Sequence, residues 1–240
     1  MNDLRYIEDE KKFLDHSFDV FKKYFNNNRE SFNSFYKSIN SNDRKNKFLK
    51  IASSYYFLVV GGKFIVESNS PDYIDYLDHT YKYIAIFAFI ENLYTDKEYK
   101  EFYSWLESKK TNIKFPIKDK EELDVLHKQY LSTHGSTQKA IRFFESLDNK
   151  TKKCITDNFQ IIGNSNDTES FIYLSKLLYQ IRNNFVHNAE IISQFNTGVT
   201  IHTIGGKLIK NNLDFEKMKM IFENGFLRFF GFVSTAMTTV

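Results

Sequence analysis

Between Leu174 and Asn188 a cation, two amides and an imidazole are set into an apolar pattern. Arg182, Asn183, Asn184 and His187 lie beside Leu174, Leu177, Leu178, Ile181 and Phe185. The apolar residues recur at i, i+3, i+4 and i+7, which predicts an amphipathic helix with one buried face. A helix that only packs has no need of the polar groups, so they are candidates for chemistry or for a polar contact. An imidazole ordinarily titrates near about 6.5 and moves protons at neutral pH. A guanidinium suits a phosphate, which it holds through a planar fork of donors while charge grows on its oxygens. Five positions separate Arg182 from His187, about 140° around an unbroken helix, so one helix face does not present both. Asn183 and His187, at i and i+4, do share a face. Asparagine favours caps over helix interiors, which leaves two alternatives. Either the helix kinks or restarts at Asn183-Asn184 and brings Arg182 round, or the site takes its other half from a second copy of the chain.

The order Arg182, Asn183, three residues, His187, at the end of an apolar helical run, resembles the Arg-x(4–6)-His signature of the HEPN superfamily, in which a polar residue commonly follows the Arg. It is the only such spacing in the chain. The resemblance implies an all-helical, dimeric domain and a metal-independent endoribonuclease whose two motifs face each other across a dimer cleft. Many members serve as toxins, in RNA processing or in phage defence, and others only bind. The residues carried over are Arg182, Asn183 and His187. His187 would take the proton of a ribose 2′-hydroxyl or give one to the leaving 5′-oxygen, Arg182 would hold the phosphate, and Asn183 would orient His187 or the phosphate. The implied partners are RNA, a second copy of the chain, and an antitoxin or activator protein. One variant of the motif has Tyr two residues after the His, where this chain has Ala189, so regulation through that Tyr is not supported. A reading from a different class is a non-catalytic helical module that binds RNA, a nucleotide or a protein; a purely structural scaffold is a third.

The elements that would position these residues are mainly helical, so the expected fold is all-α, an up-and-down helical bundle with a small β-hairpin near the C-terminus. Apolar spacing predicts one long helix over 3–25 with Asp3 as its cap, ended by Asn26-Asn27-Asn28, and a short helix through Phe32 and Ile39. A turn at Ser41-Asn42-Asp43 leads into 44–66, whose short apolar run fits a buried helix or a strand, with helix preferred. Ser70-Pro71-Asp72 reads as the start of a helix apolar around most of its circumference between Tyr81 and Leu93, hence central. Glu91 is the acid at its end. It is either a buried partner for Arg182 or a lysine, or the point where the helix returns to water; the second is favoured because charge normally returns at a helix end. A charged helix over 96–109 precedes a break at 110–119, which divides an N-terminal helical part (1–110) from the part carrying the motif (120–240), packed as one unit. Helices are expected near 120–132, 136–148 and 150–160, with a turn at Ser132–Gly135. A loop at 164–167 should end in a cap at Asp167 or Thr168. Val199 to Ile209, around Gly205-Gly206, reads as a hairpin that must lie on the bundle. A last helix starts at Asp214.

Composition narrows the function further. In 240 residues, 42% are apolar, enough for a sizeable core. The formal charge of +3 gives no global field to draw the protein onto nucleic acid, so an RNA contact would need a local patch. Lys139, Arg142, Lys150, Lys152 and Lys153 form such a cluster in sequence, although a solvated face is the simpler reading. The single cysteine, Cys154, excludes an internal disulfide and fits a reducing cytoplasm. No metal or cofactor is implied: His127 and His134 are separated by the expected turn, and neither Gly61-Gly62-Lys63 nor Gly205-Gly206-Lys207 has the spacing of a phosphate-binding loop. Without a signal-peptide pattern or a run of about twenty apolar residues, neither secretion nor a membrane span is expected.

Overall fold

The structure, a computed structural model, describes residues 5–65, 74–95, 101–108, 116–162, 171–188, 200–204 and 207–233. Asp9 interrupts the expected first helix, giving α1 (Arg5–Glu8) and α2 (Glu10–Phe21). The side-chain oxygen of Asn46 accepts from the backbone N–H of Tyr6 and of Ile7, which caps the first turn of α1 and ties it to a later helix. A 3₁₀ turn, Lys22–Phe25, follows α2, and Asn26 and Asn27 both adopt left-handed backbone (φ 53° and 58°), which asparagine tolerates. Asn28 then caps α3 (Arg29–Ser38), and Ser41 caps α4 (Asn42–Tyr55). The preferred helix for the 44–66 segment is present, and α4 ends in a π-helical turn, Tyr56–Val60. Next come α5 (Ile74–Leu93), α6 (Phe102–Ser108), α7 (Lys120–His134), α8 (Ser136–Glu145) and α9 (Asn149–Asp157). The turn expected at 132–135 is reduced to Gly135, since α7 continues through His134.

Residues expected to end the helix near 160 instead form β1 (Phe159–Ile161), because their hydrogen bonds go to a strand some fifty residues later. That strand is β3 (Lys207–Asn211), which also pairs with β2 (Thr200–Ile204) to give an antiparallel sheet in the order β1-β3-β2. Between them lies α10 (Phe171–Asn188), and α11 (Phe215–Phe229) starts after the Asp214 cap. The hairpin does lie on the helices: Ile209 and Leu213 belong to the main core. The proposed caps at Asp3, Ser70 and Asp167 or Thr168, and most of the 110–119 break, fall outside the described residues. The fold is mainly helical. Among the described residues no helix is long and apolar enough to cross a membrane.

Most of the buried side chains form one cluster. Its centre is α5, where Tyr83, Ile86, Phe87 and Ile90 are fully buried, as the all-round apolar pattern required. α11 completes it with Met218, Ile221, Phe222 and Phe226, and so joins the N-terminal helices to the later ones. Inside this apolar surface sits a carboxylate that the sequence pattern did not single out. Glu223 accepts from the hydroxyls of Tyr24 (2.9 Å) and Tyr55 (3.0 Å) and pairs with Lys23 (2.6 Å). Burial first, and then the Glu223 charge, push both phenols far above their ordinary range, so they remain donors. A smaller cluster of Trp105, Leu106, Leu126 and Tyr130 holds α6 against α7.

Two aspartate caps give the fold an acid limit. Partial burial alone would raise the Asp148 carboxyl, but the N–H of Thr151 and the amide of Asn224 (2.7 and 2.8 Å) outweigh it and hold it below the ordinary range. Asp214 is lowered in the same way, with burial outweighed by its bonds to the Lys217 backbone and ammonium. A carboxyl depressed on folding contributes stability that is fully present above its unfolded pKa, about 3.9, and lost as pH falls through the folded value. The thermal midpoint should therefore drop below about pH 4. Asp148→Asn with Asp214→Asn, which keeps side-chain acceptors for the caps, should flatten that drop; thermal melts across an acid series would measure it.

Candidate functional site

α10 runs from Phe171 to Asn188 without interruption, so the asparagine pair neither kinks nor restarts it. Its buried face, Leu174, Leu177, Leu178 and Ile181, is held by the main core, and the hydroxyl of Tyr83 donates to the carbonyl of Leu178 (2.7 Å). Packing of that face outweighs the weak propensity of two asparagines. Arg182 and His187 consequently remain about 140° apart around the axis and about 7.5 Å apart along it. Of the two arrangements open from the sequence, the kink or restart at Asn183-Asn184 is therefore not the one adopted.

Three elements converge on Arg182. Its Nη2 lies 3.4 Å from Glu91 Oε1 at the end of α5, and its Nη1 donates to the side-chain oxygen of Asn183 at 3.0 Å. The guanidinium also lies over the Tyr179 ring, 5.6 Å from its centroid. Tyr179 donates to Glu91 Oε1 (3.1 Å), and Ser136, the first residue of α8, donates to Oε2 (3.2 Å). Burial, followed by the charge of Glu91, pushes the Tyr179 hydroxyl up and keeps it a donor. Glu91 is therefore the partner of Arg182, not merely the point where α5 returns to water. The sequence signal was present, a lone acid at the end of an apolar helix, but only the crossing of α5 and α10 decides between its two readings.

Asn183 turns its side-chain oxygen to Arg182 and accepts from its Nη1. With one hydrogen bond to Asn183 and one contact to Glu91, each terminal nitrogen of Arg182 retains a second N–H. Nε is buried without a hydrogen-bond partner. His187 is exposed in the last turn of α10, next to exposed Val186. Phe185 packs edge-on against Tyr81 of α5, a residue that is itself 39% exposed.

The basic cluster has a different character from its sequence. Lys139 is buried, not solvated, and donates to the Thr95 hydroxyl (3.0 Å); Arg142 donates to the Ser132 carbonyl, and Lys153 pairs with Asp157. These three are occupied by internal contacts. His127 and His134 flank the Tyr130 ring on α7, and among the described residues no group of three or more His, Cys, Asp or Glu side chains could hold a metal ion. Comparisons with protein-family models, with curated proteins and with solved structures return no match for this chain.

Proposed function

We propose that this protein is a metal-independent endoribonuclease of the HEPN type, active as a homodimer. The observation that carries the reading is a guanidinium fixed by a carboxylate and an amide, with N–H groups to spare, little more than one helical turn before an exposed imidazole. Arg182 binds the scissile phosphate. His187 of one copy accepts the 2′-hydroxyl proton as the 2′-oxygen attacks phosphorus, and the other copy's imidazole protonates the 5′-oxygen as its bond to phosphorus breaks. The products are a 2′,3′-cyclic phosphate and a 5′-hydroxyl. Val186, exposed and next to His187 in the last turn of α10, leaves apolar surface there for a second copy to cover. Its setting would be a toxin with an antitoxin or activator partner, or antiviral defence.

The test is cleavage of a mixed-sequence RNA in EDTA by wild type and His187→Ala, with product ends mapped. Wild-type cleavage that leaves cyclic phosphate ends and falls by about 10²–10⁴-fold in the variant is expected. Equal cleavage by both proteins would identify a contaminant, and RNA left intact by the wild type would leave only the binding-module reading.

A further inference from the structure

The Glu91 carboxylate has a setting that helix stability does not explain. It lies in the last turn of α5, where the negative end of the helix dipole disfavours an acid. Around it the chain places cations: Lys47 Nζ contacts the carbonyls of Leu93 and Thr95 (3.2 and 3.0 Å), and Lys139 contacts the Thr95 hydroxyl, which in turn donates to the Glu91 carbonyl (2.7 Å). The carboxylate is also fixed from two other helices. Ser136 of α8 holds Oε2 and Tyr179 of α10 holds Oε1, so it has little freedom to follow the arginine if that side chain moves. A group so anchored, facing a guanidinium that is itself only 18% exposed, sets the orientation of that guanidinium.

Resting on the nuclease reading, we propose that Glu91 is a positioning residue for that reaction. It holds one side of the Arg182 fork, Asn183 holds the other, and the remaining N–H groups are thereby aimed at the phosphate. Placement errors of about 1 Å at a reacting centre cost up to about 100-fold in rate, so the effect falls mainly on kcat.

The experiment compares wild type, Glu91→Gln and Arg182→Lys for kcat and KM in RNA cleavage. Thermal unfolding is recorded alongside, together with hydrogen exchange at the Arg182 Nε–H, whose NMR signal is assigned by its loss in Arg182→Lys. Glutamine matches the shape of Glu91 and keeps an acceptor for Tyr179 or Ser136, so the variant should fold. The expected result is a fall in kcat of about 10–100-fold with KM within about threefold, and faster exchange at Nε–H. Unchanged cleavage would overturn the proposal, and faster cleavage would make Glu91 a lock on Arg182 instead. If the wild type does not cleave RNA, the nuclease reading fails and takes the catalytic role of Glu91 with it. The exchange of Nε–H then still decides whether Glu91 fixes the guanidinium.

Discussion

Alanine at position 182 is expected to lower RNA cleavage by at least about 100-fold, and lysine is expected to restore little of it. Arg182 is held at two nitrogens by Glu91 and Asn183 while its planar fork retains N–H groups for a phosphate. A lysine ammonium is a point charge that cannot satisfy a carboxylate, an amide and a phosphate in one plane. Because α10 is unbroken, Arg182 and His187 of one copy diverge, and a site shared between two copies, as proposed, has a second consequence. Mixing Arg182→Ala with His187→Ala protein should recover little cleavage, since a mixed dimer keeps a single imidazole and the proposed reaction uses one from each copy. Full recovery, with mixed dimers confirmed by mass spectrometry, would show that one imidazole suffices and would overturn the two-imidazole mechanism. Removing Arg182 also leaves Glu91 without its cation, so melts of each variant should accompany the assay. The pair is partly exposed, and its loss should not unfold the protein.

Phe226→Ala is expected to destabilise the fold by about 3–5 kcal/mol, measured by denaturant unfolding. Phe226 on α11 is fully buried, lies parallel to Phe21 of α2 (centroids 5.0 Å, interplanar 9°), and touches the rings of Phe48 (5.2 Å) and Phe222 (5.8 Å). Truncation would leave a cavity where α2, α4 and α11 meet, lined by stiff rings that cannot close on it. The neighbouring backbone is equally constrained: a Cβ at Gly225 would lie 2.3 Å from the Phe143 ring, so α11 and α8 are already at closest approach. A change below about 1 kcal/mol would mean that this aromatic seam carries little of the stability.

Helical content, the central place of α5, the start of the last helix at Asp214 and the β2–β3 hairpin were legible from local pattern, because each depends on side-chain period or on a turn within a few residues. The tie between α1 and Asn46 was not, since the groups that meet there lie about forty residues apart. Nor was β1, whose partner strand lies some fifty residues away. The same division applies to the site. By itself the sequence determined that Arg182, Asn183 and His187 stand at the end of one apolar helical run. Only the tertiary structure decided that the helix stays unbroken, that Asn183 bonds Arg182, and that Glu91, itself held by Tyr179 and Ser136, pairs with the guanidinium. Spacing along one helix fixes the angle between two of its side chains, whereas which charges meet depends on how separate helices cross, and burial of their apolar faces sets that crossing.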